Sequence, residues 1–174
     1  MDMIQNLNLK IFVEFIGPII RHYELNQQYS RAINELKESI NFIENNTEIV
    51  NSYLHKAINL YRLGRLQYKI ENFGNSKKML EKALELLEIV NNFYFISECK
   101  IILLQIKINQ GKLYDKSQLE PYITGIMKYT KLTESKDLIA LNLKKLGLII
   151  KDISSNYSNE LINRSEKMND LEDD

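Results

Sequence analysis

Chain breakers are scarce in these 174 residues, which contain six glycines and two prolines. So few of them disfavour a turn-rich β architecture and leave room for long helices. Cysteine occurs once, as Cys99, which excludes an intramolecular disulfide and leads us to expect a reducing, cytoplasmic location. Histidine occurs twice, as His22 and His55, with no carboxylate or cysteine at metal-ligand spacing, so neither a metal site nor a cofactor is expected. No stretch approaches the roughly 20 apolar residues that span a bilayer. The nearest thing to a targeting signal, Ile11 to Ile20, is interrupted by Glu14 and followed by no small-residue cleavage site.

An excess of one charge is also missing, because 23 Lys and Arg balance 23 Asp and Glu. Without a bulk field, nucleic acid and anionic membranes are not expected partners. Arg62, Arg65 and Lys69, interleaved with Tyr61 and Tyr68, are the nearest approach to a basic stripe and make a thin footprint. The chain has no phosphate-binding glycine loop and no Gly-x-Ser-x-Gly elbow. Cys99 reads as a small hydrophobe in a helix, and Glu81, Glu85 and Glu88 beside Lys78 and Lys82 as a solvated helix face. An enzyme is therefore not expected.

What the sequence does have is helical periodicity and repetition. Apolar residues make up 44% and charged residues 26%, enough to build the core of one domain. Leu60, Leu63, Leu66 and Ile70 form one apolar stripe, and Leu80, Ala83, Leu84, Leu87 and Ile89 form another. Both stripes belong to a unit from Asn59 to Asn92, with Leu63-Gly64, Tyr68-Lys69, Phe73, Ser76, Leu80 and a Lys82-Ala83-Leu84-Glu85-Leu86 run in order. Gly64 and Ser76 are small where two helices would cross, and Phe73 would plug the gap under the turn. Weaker copies of the turn marker stand at Gln28-Tyr29, Gly111-Lys112-Leu113 and Asn156-Tyr157. Tyr29 lies 44 residues before Phe73, Leu113 lies 40 after it, and Tyr157 a further 44 on.

On these residues the unit resembles a tetratricopeptide repeat, of the long-repeat type found in bacterial regulatory proteins. Glu71 stands where the motif usually has a turn glycine, and no proline closes the unit. The resemblance implies an all-α fold, a right-handed superhelix of antiparallel helix hairpins with about four units and seven to nine helices. The units expected are 8–46, 52–92, 96–132 and 136–170. A first helix over Met1 to Ile16 would join or kink into the next at Gly17-Pro18, Pro121 would occupy the first turn of a helix, and residues 170–174 would form an acidic tail.

Under the same resemblance, the first helix of each pair lines an open groove. The exposed positions there would be Arg21 and Glu24; Ile58, Tyr61, Arg65, Tyr68 and Lys69; and Glu98, Gln105, Ile108 and Asn109. Tyr and Arg combine apolar surface with directional hydrogen bonds, and amides four residues apart can hold a ligand backbone. The candidate partner-binding residues are thus Arg21, Tyr61, Arg65, Tyr68, Lys69, Gln105 and Asn109, with Arg21 and Arg65 a candidate anion-binding pair. The expected function is a non-catalytic adaptor or chaperone that binds another protein or peptide, with the terminal repeats offering a route to a homodimer. The alternative is an intracellular regulator that binds a signalling peptide or sequesters a partner. It would be similar to the repeat domain of bacterial peptide-pheromone receptors, without a DNA-binding domain.

Overall fold

The computed structural model describes residues 15–46 and 51–169 of the chain. Among them are eight helices and no strand. They are α1 (helical over residues 15–25), α2 (Tyr29–Asn45), α3 (Ser52–Lys69), α4 (Phe73–Ile89), α5 (Phe93–Asn109), α6 (Lys116–Lys131), α7 (Lys136–Ile150) and α8 (Ser155–Asn169). The fold is all-α, with α2, α3 and α4 packed in succession, and likewise α5, α6, α7 and α8. The helices divide into two compact units between Asn91 and Asn92. The acidic tail, and the expected first helix up to residue 14, lie outside the described residues. Residues 15–25 are helical through Gly17 and Pro18.

Local chemistry sets the helix boundaries. Side chains of Asn72, Asn92, Asp115 and Ser135 each accept a hydrogen bond from the backbone three residues on, capping α4, α5, α6 and α7. The turns after α1, α3 and α5 share one geometry. Gln27, Glu71 and Gly111 adopt left-handed φ values of 56°, 59° and 64°. The following amide then donates back over five residues: Gln28 to the Tyr23 carbonyl at 2.8 Å, Asn72 to Gln67 at 2.9 Å and Lys112 to Lys107 at 3.0 Å. Glu71 therefore performs the glycine's task in the turn.

In the first unit, Ile16 and Ile20 of α1, Leu36, Ile40 and Ile43 of α2, Leu60, Leu63 and Leu66 of α3, and Leu80 and Leu87 of α4 are all buried. At roughly 1.5–3 kcal/mol for each fully buried aliphatic side chain, this packing outweighs the unit's ion pairs. The α3–α4 crossing is close. A Cβ at Gly64 would lie 2.7 Å from Leu80 Cγ, and Ser76 Oγ donates to the Gly64 carbonyl at 2.8 Å. One buried polar link, Asn59 Nδ2 to Ser39 Oγ at 2.9 Å, ties α3 to α2.

The second unit repeats this scheme. Its core joins Leu104, Leu119, Ile123, Ile126, Leu143, Leu146, Ile150, Tyr157 and Leu161. A Cβ at Gly147 would lie 2.7 Å from Ile162 Cγ1 and 3.0 Å from the Ser158 carbonyl, which makes this the counterpart of the Gly64 crossing. Buried Asn142 donates to Thr130 Oγ1 at 3.0 Å and to Ser97 Oγ at 3.4 Å, as Asn59 does to Ser39. The pattern Ala57-x-Asn59-Leu60-x-x-Leu63-Gly64 on α3 recurs as Ala140-x-Asn142-Leu143-x-x-Leu146-Gly147 on α7, and every named residue in both is buried.

Two expectations need correction. Pro121 lies inside α6, in its second turn, because Asp115 caps the helix and α6 begins at Lys116. Leu113 is buried but precedes α6, whereas Phe73 and Tyr29 are the first residues of their helices.

Candidate functional site

Of the sequence-predicted residues of the first unit, Arg65 and Lys69 meet at the seam between α1 and α3. Glu24, with a side chain only 10% exposed, accepts from Arg65 Nη2 at 2.5 Å and from Lys69 Nζ at 3.2 Å. The Arg65 guanidinium also lies 5.9 Å from the centre of the Tyr61 ring, and the Lys69 ammonium 5.9 Å from that of Tyr29. Tyr68 is half-buried, its ring centre 5.7 Å from that of Phe73. Arg21 is exposed.

This arrangement corrects the expected open wall at two points. Tyr61 is 5% exposed and belongs to the core. Arg65 and Lys69 converge on Glu24 and fasten α3 to α1. A carboxylate largely withdrawn from water requires counter-charges, and these two side chains provide them. In the second unit Gln105 is half-buried and Asn109 exposed, one turn apart on α5. Glu98 pairs with Lys145 of α7 at 2.6 Å.

A concave surface that sequence reasoning missed lies on the other side of the first unit. Side chains of α2, α3 and α4 enclose a groove of about 490 Å³, within the size range of ligand sites. Ile40, Leu60 and Leu63 form its floor and Met79 and Leu86 its wall. Lys37, Lys82 and Glu85 line the rim with Lys56 and Glu44, which pair at 2.8 Å. A signal was present: Lys37, Ile40, Asn41 and Glu44, like Met79, Lys82 and Leu86, follow helical spacing on a single face. The tetratricopeptide resemblance drew attention to the first helix of each pair, whereas α2 and α4 are second helices.

Burial pushes the Cys99 thiol far above its ordinary pKa, so it holds its proton at neutral pH. Hydrogen bonds from Ser117 and the Gln118 amide hold the exposed Asp115 carboxyl below its ordinary value, in keeping with its capping role. Among the described residues, no three His, Cys, Asp or Glu side chains gather in a group that could hold a metal ion, and no helix is long and apolar enough to cross a membrane. The chain matches no family model, and no curated protein matches its sequence.

Proposed function

We propose that this chain is a non-catalytic protein- or peptide-binding module of tetratricopeptide-like repeats, acting as an adaptor or chaperone in the cytoplasm. The groove between α2, α3 and α4 carries this reading: its apolar floor and charged rim suit a segment that presents apolar side chains on one side and polar groups on the other. The Gly64–Ser76 and Gly147–Ser158 crossings and the left-handed turns after α1, α3 and α5 support the repeat assignment. The face carrying Arg65 and Lys69 is the weaker candidate, because a peptide bound there would compete with Glu24 for the same donors.

Peptides selected against the whole chain from a display library test the proposal. Their affinity should fall by about tenfold or more in a Met79→Asp, Leu86→Asp double variant, since each half-buried apolar contact is worth about 1 kcal/mol or more. Arg65→Gln should leave it within about twofold. Peptides that bind the double variant as tightly as the wild type would place recognition elsewhere, and a library yielding no binder would argue against the module.

A further inference from the structure

Where α5 and α6 meet, lysine is paired with tyrosine twice. The Lys100 ammonium lies 5.0 Å from the centre of the Tyr129 ring, and the Lys107 ammonium 5.3 Å from that of Tyr122. The two lysines are seven residues apart, as are the two tyrosines, so the pairs stand two helical turns, or about 10 Å, from each other along the hairpin. Tyr122 is 38% exposed and the other three residues are half-buried. A ring face attracts a cation without neutralising it, so each ammonium is steadied while its charge stays available.

Midway between the tyrosines, on the same side of α6, is Gly125. A Cβ added there would meet nothing within 4 Å, so the glycine answers no packing demand although it weakens the helix interior. It leaves a notch between the two lysine–tyrosine pairs. Charge on this hairpin is mainly of one sign: residues 93–131 carry six lysines and three carboxylates. Glu98 is paired with Lys145, Asp115 caps α6, and Glu120 stands two residues from Tyr122, on another face of the helix. Exposed Lys128, three residues after Gly125, adds a third cation beside the notch.

We propose that this face of α5 and α6 binds an acidic segment of a partner protein, with its carboxylates on Lys100 and Lys107 and an apolar side chain in the notch at Gly125. Charge complementarity carries the choice of occupant: ammonium groups held in place on ring faces make charge-assisted hydrogen bonds to carboxylates at little ordering cost. Nucleic acid is disfavoured, because a lysine already occupies a face of each ring on which a base would stack, and the chain as a whole has no net charge. The site lies within the second unit and is independent of the α2–α4 groove.

Fluorescence anisotropy of a labelled peptide of four Glu-Glu-Leu repeats, titrated with the whole chain at fixed ionic strength, tests this. The expected result is saturable one-site binding that weakens about tenfold or more in a Lys100→Gln, Lys107→Gln double variant, and by a smaller factor in Lys128→Gln. A Gln-Gln-Leu counterpart of the peptide should bind about tenfold or more weakly. Gly125→Ala should weaken binding about threefold or more while keeping or raising the melting temperature, since alanine fills the notch and favours the helix. The Met79→Asp, Leu86→Asp variant should bind within about twofold of wild type, which separates this site from the groove. Four results would overturn the proposal: no saturable binding by the folded wild type, equal binding of the Gln-Gln-Leu peptide, equal binding by a folded Lys100→Gln, Lys107→Gln or Gly125→Ala variant, or tighter binding of an oligothymidylate of the same charge.

Discussion

The hydroxyl of Ser76 donates to the carbonyl of Gly64 at 2.8 Å, so α3 and α4 come close where each carries a small residue. That contact fixes the register of the hairpin. Gly64→Ala would thrust a methyl within 2.9 Å of both Leu80 Cγ and Cδ2 and within 3.3 Å of its backbone nitrogen. We expect a loss of about 1–3 kcal/mol in urea unfolding. Gly74→Ala, where nothing lies within 4 Å, serves as the control and should not be destabilised by crowding.

The left-handed turns yield a prediction of opposite sign. An L-residue at such φ costs roughly 1–2 kcal/mol, while glycine gives back about 0.5–1 kcal/mol through the unfolded chain. Glu71→Gly should therefore stabilise the protein by about 0.5–1 kcal/mol. Gly111→Ala, at φ 64° with open space around it, should destabilise it by about 1 kcal/mol. Thermal unfolding of the two variants would show opposite shifts.

Glu24 is the shared member of an ion triad, so its loss should matter more than that of either cation. Glu24→Gln leaves two neighbouring cations of α3 without their shared carboxylate and should cost about 1–2 kcal/mol after allowance for the partial exposure of Arg65 and Lys69. Arg65→Gln or Lys69→Gln alone should cost less than about 1 kcal/mol. Denaturant midpoints in low and high salt would check both the order and the expected screening.

Cys99 gives a pH dependence with a definite sign. Its folded-state pKa is raised, so the thiol stabilises the native state fully below the unfolded thiol's pKa of about 8.5 and progressively less above it. The stability difference between wild type and Cys99→Ala should shrink above that pH by up to about 1.4 kcal/mol per unit. Below it, a thiol reagent should modify Cys99 only as fast as the protein opens.

Features set by neighbours in sequence were readable before the structure was known. Gly64, Ser76 and Phe73 lie within one hairpin, and small residues at a crossing follow from the need for close helix axes. The features that were misread depend on partners far along the chain. Nothing near Arg65 or Lys69 announces that Glu24, more than forty residues earlier, will claim both. Tyr61 looked available for the same reason, since its helix face is covered by other elements. The repeated Ala-x-Asn-Leu-x-x-Leu-Gly pattern was visible in the sequence, and the turn aromatics drew attention away from it. Its buried Asn59 and Asn142 show that the likeness between α3 and α7 extends to polar links inside the core.

The claim on which the functional account rests is that a peptide is held between α2 and α4. Hydrogen exchange of the whole chain, with and without a saturating selected peptide, tests it most directly. The account predicts slowed exchange in Tyr29–Asn45 and Phe73–Ile89, with little change in α5 to α8. Protection confined to Phe93–Asn169, or binding that leaves α2 and α4 unaltered, would contradict it.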